Sequence, residues 1–262
     1  MLSKLFFYLL CSFTMTILVL PFMFITPLSF VYDPYLTLSS ELLNINHYSF
    51  RWYNDFFTSA KWLNSMRNSI FIGISSATMA TMIGTMAATW MYGARSCYKN
   101  YVLSFILTPL IIPHVVTGVA LFLLYSKIQL VNTFSGIILA HTILGIPLVV
   151  ISVLIAYSRY NETLTVVAYS LGAKPIYTFR YITFPLIYTG ILSGWLFAFI
   201  TSFDDLIITI FITGYNQLTI PIQMWSNIQD YVSPTLLAVS VLITLIVLIG
   251  LLIIFLTKGR RT

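Results

Sequence analysis

Apolar residues fall along the chain in six long blocks separated by shorter polar stretches. A bilayer core is about 30 Å thick, so a helix rising about 1.5 Å per residue needs roughly 20 apolar residues to cross it. The blocks at about 5–30, 68–92, 101–126, 133–157, 186–212 and 234–257 reach that length. Each is slightly long, which permits tilt but fixes no angle. The pattern predicts an all-α membrane protein with six transmembrane helices. Residues 1–262 form a single membrane domain, since no polar stretch is long enough to make a soluble one. The first block follows Lys4 as a signal peptide would. Its apolar run far exceeds about 15 residues and no small-x-small cleavage site follows, so it reads as a retained helix.

Composition agrees: 59% of residues are hydrophobic and 8% charged, against about 25% charged in soluble domains. A net charge of +6 in a soluble chain would suggest nucleic acid. Here the placement of the charges argues for a membrane instead. With the N-terminus inside, nine of the 13 basic residues lie on inner segments: Lys4, Arg95, Lys99, Arg159, Lys174, Arg180, Lys258, Arg260 and Arg261. Four lie outside: Arg51, Lys61, Arg67 and Lys127. The excess puts both termini in the cytoplasm. Glu162 is the only acid on that side. Cys11 and Cys97 have no metal spacing, and their surroundings argue against a disulfide.

Two loops stand out. The outer loop, 31–67, carries Trp52, Tyr53, Phe56, Phe57 and Trp62. Two readings stand: an interfacial aromatic belt, or a short helix on the membrane that meets a soluble partner. The inner loop, 158–185, places Leu164, Val167, Ala168 and Leu171 at i, i+3, i+4 and i+7, one face of a helix. Ser158 or Asn161 can cap its start, Gly172 suits a left-handed end, and Pro175 suits the first turn of another helix. Two short helices, 161–171 and 175–183, are therefore expected around a tight Gly172–Ala173–Lys174 turn. Pro185 then marks the passage into the fifth span. Such an apolar face must be covered, either by the chain's own bundle or by a cytoplasmic partner.

In the second span Gly73, Ala77, Ala80, Gly84 and Ala88 recur at spacings of 4, 3, 4 and 4, and in the fifth Gly190, Gly194 and Ala198 do likewise. Small stripes let helix backbones approach closely in lipid. Asp204 and Asp205 lie in the fifth span, roughly 12 Å from its outer end. An ionisable residue there costs at least about 2.5–3.5 kcal/mol at the helix centre. Neighbours on a helix point about 100° apart, so the two carboxylates face different targets, with Asp205 in line with the small stripe. One reading has a carboxylate attracting a cation in a translocation path. The other has the pair protonated, hydrogen-bonded to a neighbouring helix, or capping a helix break.

The stretch VVAYSLGAKPIYTFRYITFP, residues 166–185, resembles the cytoplasmic signature of binding-protein-dependent ABC importer permeases: E-A-A, three residues, Gly, then nine residues to I-x-L-P. Ala168, Gly172, Ile182 and Pro185 stand at matching positions. Val166 replaces the Glu, and Val167 and Phe184 replace Ala and Leu. The stretches 49–57 and 62–88, LTPLIIPHVVTGVALFLLY (107–125), SFDDLIITIFITG (202–214) and VSPTLLAVSVLI (232–243) are similar to the second permease subunit of spermidine/putrescine transporters.

The resemblance implies a type I ABC importer permease architecture with a cytoplasmic coupling-helix hairpin, in the bacterial cytoplasmic (inner) membrane. It implies ATPase-coupling roles for Ala168, Leu171, Gly172, Ala173 and Pro185, and a substrate pathway at Asp204, Asp205 and His114. His114 stands where the resemblance leads one to expect an acid. His141, in the fourth span, carries no evident signal. The implied partners are an ATP-binding subunit dimer, a second homologous permease, an extracytoplasmic substrate-binding protein, the lipid bilayer and a polyamine substrate, with no nucleic acid. ATP and Mg belong to the ATPase; the chain itself has no G-x-x-x-x-G-K-[ST] loop, and no cofactor, metal site or catalytic residue is expected in it. Six helices are few for a self-sufficient secondary transporter. Two alternatives are the same transporter class carrying another organic cation or ferric iron, and, remotely, an intramembrane enzyme. The enzyme would need an H-E-x-x-H, a G-x-S-x-G or a Cys/His cluster, and the sequence has none.

Overall fold

The computed structural model describes residues 2–32, 48–93, 98–230 and 234–258. Arg95, Cys97, Arg260, Arg261 and residues 33–47 of the outer loop lie outside the described residues. The fold is helical: α1 Leu2–Leu28, α2 Arg51–Thr58, α3 Ala60–Gly93, α4 Lys99–Ile111, α5 His114–Lys127, α6 Phe134–Tyr157, α7 Glu162–Ser170, α8 Pro175–Thr178, α9 Phe184–Asp204, α10 Ile207–Ile212, α11 Ile220–Asp230 and α12 Pro234–Lys258. Among the described residues the only β pairing is an isolated bridge, Val31 to Tyr48. Among the described residues four stretches are long and apolar enough to cross a membrane: Phe6–Leu28, Ala60–Gly93, Phe134–Tyr157 and Pro175–Asp204. The pair α4 and α5 meets the same test together, bent by 99° at the break. Helix α12 covers the sixth predicted block.

Contacts group the chain into two compact units, residues 1–63 with 223–262, and residues 64–222. In the first, the outer-loop aromatics pack into protein. Trp52, Phe56 and Trp62 are buried, with Phe56 and Trp62 ring centroids 6.1 Å apart. The Trp52 indole donates to the Val31 carbonyl at 2.6 Å, and the Tyr53 and Ser29 hydroxyls meet at 2.7 Å. Thr235 at the start of α12 donates to Asp55 of α2 at 3.0 Å. A buried indole N–H needs such a partner, so Trp52, Phe56 and Trp62 pack into the protein, while Phe57 stays exposed.

The second unit is built on the crossing of α6 with α9, backed by α3. Ala77, Ala80 and Ala88 of α3 and Ala198 of α9 lie in one core with Val149, Val150 and Val153 of α6. The small stripes explain the approach. A Cβ on Gly190 would come within 2.5 Å of the Ala156 Cβ, and one on Gly84 within 2.8 Å of the Val149 side chain. No larger residue fits at that spacing.

Two predicted spans are interrupted. The third breaks at Ile112–Pro113, because proline lacks an N–H and drives the preceding residue to extended geometry; Ile112 has ψ 132°. The fifth breaks after Asp204, with Asp205 extended at ψ 118°. At its inner end the fifth span is longer than expected. Pro185 does not separate α8 from the span. The chain passes from α8 into α9 through a π turn, Phe179–Thr183, in which the Phe184 N–H bonds to the Phe179 carbonyl. Widening one turn relieves the clash between a proline ring and the carbonyl four residues before it.

Candidate substrate pathway and coupling hairpin

The two helix breaks meet. Helix α5 packs on α10, with Gly118 of α5 buried against Phe211 and Ile208. That contact brings His114, the first residue of α5, beside Asp205, just before α10. Of the adjacent carboxylates only Asp205 is inward. It is 7% exposed, while Asp204 is exposed. The helix break separates their environments, and the 100° argument for a continuous helix gives way to it.

Asp205, one residue before the N-cap Leu206, supplies the side chain that caps the start of α10. Its Oδ2 accepts from the Thr209 N–H at 2.9 Å and from the Thr209 hydroxyl at 2.8 Å. This satisfies a backbone donor that a helix start leaves orphaned. A buried side-chain chain continues from there. His141 Nε2 lies 2.8 Å from Thr209 Oγ1 and Nδ1 lies 2.6 Å from Ser202 Oγ. The Ser76 hydroxyl donates to Ser202 at 3.0 Å. Because Thr209 gives its proton to Asp205, it accepts from His141, and His141 then accepts from Ser202. The Nε2–H tautomer thus gives every member a partner. His141 is 1% exposed, and its Nε2 is 3.5 Å from Asp205 Oδ2. Sequence reasoning passed over His141, Ser202 and Thr209. Ser202 continues the Gly190–Ala198 face, and that periodicity was the available signal.

The other carboxylate oxygen, Oδ1, carries none of these bonds. It faces His114 Nδ1 at 3.7 Å, and the His114 side chain is 42% exposed against 2% for Asp205. One oxygen is locked into the scaffold, and the other points to a half-exposed imidazole. Among the described residues no group of three His, Cys, Asp or Glu side chains could hold a metal.

The inner hairpin lies elsewhere in the same unit. Asn161 caps α7 by accepting from the Thr163 N–H at 3.0 Å. Helix α7 ends with the Gly172 N–H bonded to the Tyr169 carbonyl at 2.9 Å and the Ala173 N–H to the Ala168 carbonyl at 3.0 Å. These are the two bonds of a Schellman end, and Gly172 takes φ +83°. Of the predicted apolar face only Ala168 is buried, at 6% exposure; Leu164, Val167 and Leu171 are exposed, Leu171 at 82%. Ala173 is half-buried and Pro185 exposed. Arg180 lies 6.0 Å from the Phe184 ring.

Residues 80–261 match the family described as "Binding-protein-dependent transport system inner membrane component". The chain belongs to this family. It is therefore a multi-pass inner-membrane component of a transport system that works with a binding protein, and not an enzyme. Relatives of this permease include the spermidine/putrescine transport system permease protein PotC of Haemophilus influenzae, 25% identical over 90% of this chain and 93% of that one. The putrescine transport system permease protein PotI of Escherichia coli K12 is 30% identical over 82% of each chain. The fold is shared with a chain of a bacterial ABC transporter involved in alginate import, with a TM-score of 0.73 over 98% of this permease and 96% of that chain at 12% identity.

Proposed function

We propose that this permease is one of two membrane-spanning subunits of an ATP-driven ABC importer that brings polyamines of the spermidine/putrescine class into the cytoplasm. Similarity to PotC and PotI supports the cargo class. The observation that carries the reading is the buried Asp205 carboxylate at the paired helix breaks, with one oxygen held by Thr209 and the other facing the half-exposed His114 at 3.7 Å. A carboxylate at membrane depth offsets part of the desolvation cost of an ammonium group. Broken helices at mid-membrane are where transporters expose such groups.

The remaining parts follow from that role. Both termini lie in the cytoplasm, and the α7–α8 hairpin faces a dimer of ATP-binding subunits. Leu171, Gly172, Ala173 and Pro185 belong to the coupling surface, while the buried Ala168 holds the hairpin to its own helices. A binding protein delivers the cargo outside, and a second homologous permease completes the path. ATP and Mg bind the ATPase alone. Closure of the nucleotide-binding dimer moves the hairpin and opens the helices outward, and hydrolysis resets them.

The test is labelled putrescine and spermidine uptake by the complete transporter in proteoliposomes. Asp205→Asn is expected to abolish most uptake, with Asp204→Asn near wild type. Full uptake by Asp205→Asn refutes the site. Transport of a neutral or anionic cargo with no polyamine uptake refutes the cargo.

A further inference from the structure

We propose that the inner end of the permease carries a second cation site: a cavity between the ends of α3 and α6 and the α7–α8 hairpin, where Glu162 and a cluster of tyrosines bind an alkylammonium group and thereby hold the hairpin in place. The inner location and the coupling role of the hairpin rest on the reading above. The site shares no residue with the one at Asp205.

The cavity measures about 840 Å³, within the size range of small-molecule sites. Its walls come from two parts of the fold. Tyr92 at the end of α3, with Tyr157 and Tyr160 at the end of α6, forms one; Glu162 and Tyr169 of α7, with Phe179 of the π turn, form the other. Tyr92 and Tyr157 stack with centroids 4.3 Å apart, and Tyr160 meets both edge-on at 5.9 Å. The phenol hydroxyls are engaged. Tyr157 donates to Thr89 at 3.0 Å, and Tyr160 lies 2.6 Å from the Thr165 hydroxyl and 3.2 Å from that of Thr183. Tyr92 donates to the Glu162 carboxylate. A carboxylate has about four acceptor positions, so Glu162 retains capacity for an ammonium group. Aromatic rings attract such groups as well. Among the described residues the lining holds this one acid and no Lys or Arg. Rings, one carboxylate and no basic side chain select an organic cation over a phosphate or a neutral molecule.

Packing alone accounts for the Tyr92–Tyr157 stack, in which Tyr157 is buried. It does not account for Glu162 and Tyr169, which are exposed yet line the same cavity. Glu162, Thr165, Val166 and Tyr169 stand at i, i+3, i+4 and i+7 and all four line it. At about 100° per residue, Leu164, Val167 and Leu171 lie on the opposite side of α7. An ATPase seated on that apolar side leaves the Glu162 side open to solution. A ligand that touches both walls binds only while they stand at this separation. It therefore favours this position of the hairpin by its differential affinity, and it slows a cycle in which the hairpin moves. Alkylammonium groups have two sources here, a free amine in the cytoplasm and the headgroup of phosphatidylethanolamine in the inner leaflet, and both offer the same chemistry to the cavity.

The experiment places the permease, with its ATPase and second permease, in nanodiscs of phosphatidylglycerol, which leave both faces open to solution. Asp205→Asn is present throughout, so that the path site does not contribute. Labelled putrescine is the probe, and two quantities are read: its equilibrium binding and the rate of ATP hydrolysis. Putrescine is expected to bind and to slow hydrolysis by at least about fivefold at saturation. Glu162→Gln should weaken its Kd by at least about tenfold, and Tyr169→Leu by about threefold. Both side chains are exposed, so neither change unfolds the permease. The neutral analogue 1,4-butanediol should neither compete nor slow hydrolysis. No binding, an unchanged Kd in Glu162→Gln, or equal competition by butanediol overturns the site; binding without slowing overturns the hold on the hairpin. With phosphatidylethanolamine added to the discs, a weaker putrescine Kd that Glu162→Gln no longer shows identifies the lipid headgroup as a ligand, and an unchanged Kd identifies the free amine. Putrescine binding here, with no polyamine uptake by the wild-type transporter, overturns the cargo reading and leaves this site standing. Uptake without binding here overturns this site alone.

Discussion

Replacing Thr209 with Val tests the buried network most directly, because it keeps the volume and β-branching and removes one hydroxyl. That hydroxyl donates to Asp205 Oδ2 at 2.8 Å and lies 2.8 Å from His141 Nε2. Thr209 is 0% exposed, so no water replaces it. Side-chain hydrogen bonds in membrane interiors contribute about 0.6 kcal/mol on average and up to about 1.7. Two such bonds give a loss of about 1–3 kcal/mol. The upper part is expected, since one bond is to a charge and the orphaned His141 N–H keeps its desolvation cost. The Thr209 backbone N–H still bonds to Oδ2 at 2.9 Å, so α10 keeps its cap and the fold survives. The assay is reversible unfolding of the purified permease in mixed micelles, with Thr209→Ser beside Thr209→Val. Serine keeps the hydroxyl and loses one methyl, so it should stay within about 1 kcal/mol of wild type. A valine variant as stable as wild type, or no more affected than the serine variant, would falsify the relay.

Other expectations concern the hairpin and the helix crossing. A Cβ on Gly172 meets no atom within 4 Å, so Gly172→Ala should cost only the left-handed backbone penalty of about 1–2 kcal/mol and leave uptake measurable. Gly172→Arg should leave the isolated permease folded yet prevent co-purification of the ATPase and stop uptake; wild-type uptake removes the coupling assignment. Gly190→Val drives a side chain into Ala156 and the Ser152 carbonyl, at 2.5 and 2.8 Å from the Cβ alone. Its thermal midpoint in detergent should fall in keeping with an overpacking cost of at least about 1–3 kcal/mol, and an unchanged midpoint would contradict the α6–α9 packing. Asp204→Asn removes an exposed carboxylate, and its stability should stay within about 0.5 kcal/mol of wild type. A larger loss, read in the same unfolding assay, would mean that Asp204 shares Asp205's role.

What the sequence by itself determined is whatever a one-dimensional pattern encodes. Apolar runs of spanning length marked the membrane helices, because lipid forces each segment to satisfy its own backbone. The Asn161, Gly172 and Pro175 signals placed α7, its left-handed end and the start of α8, because caps and ends are local chemistry. The small stripes foretold close helix contact, though not that Gly190 would lie against Ala156. Three features came only with the tertiary structure. Pro185 marks the entry to the fifth span in sequence, yet a π turn joins α8 to that span without a break. Asp204 and Asp205 are chemically alike in sequence, and only a break stabilised by Thr209 buries one and exposes the other. His141 carried no signal because its partners, Ser202 and Thr209, are 61 and 68 residues away along the chain. A side chain's hydrogen bonds across helices depend on how those helices dock, and docking is a property of the packed fold rather than of any single segment.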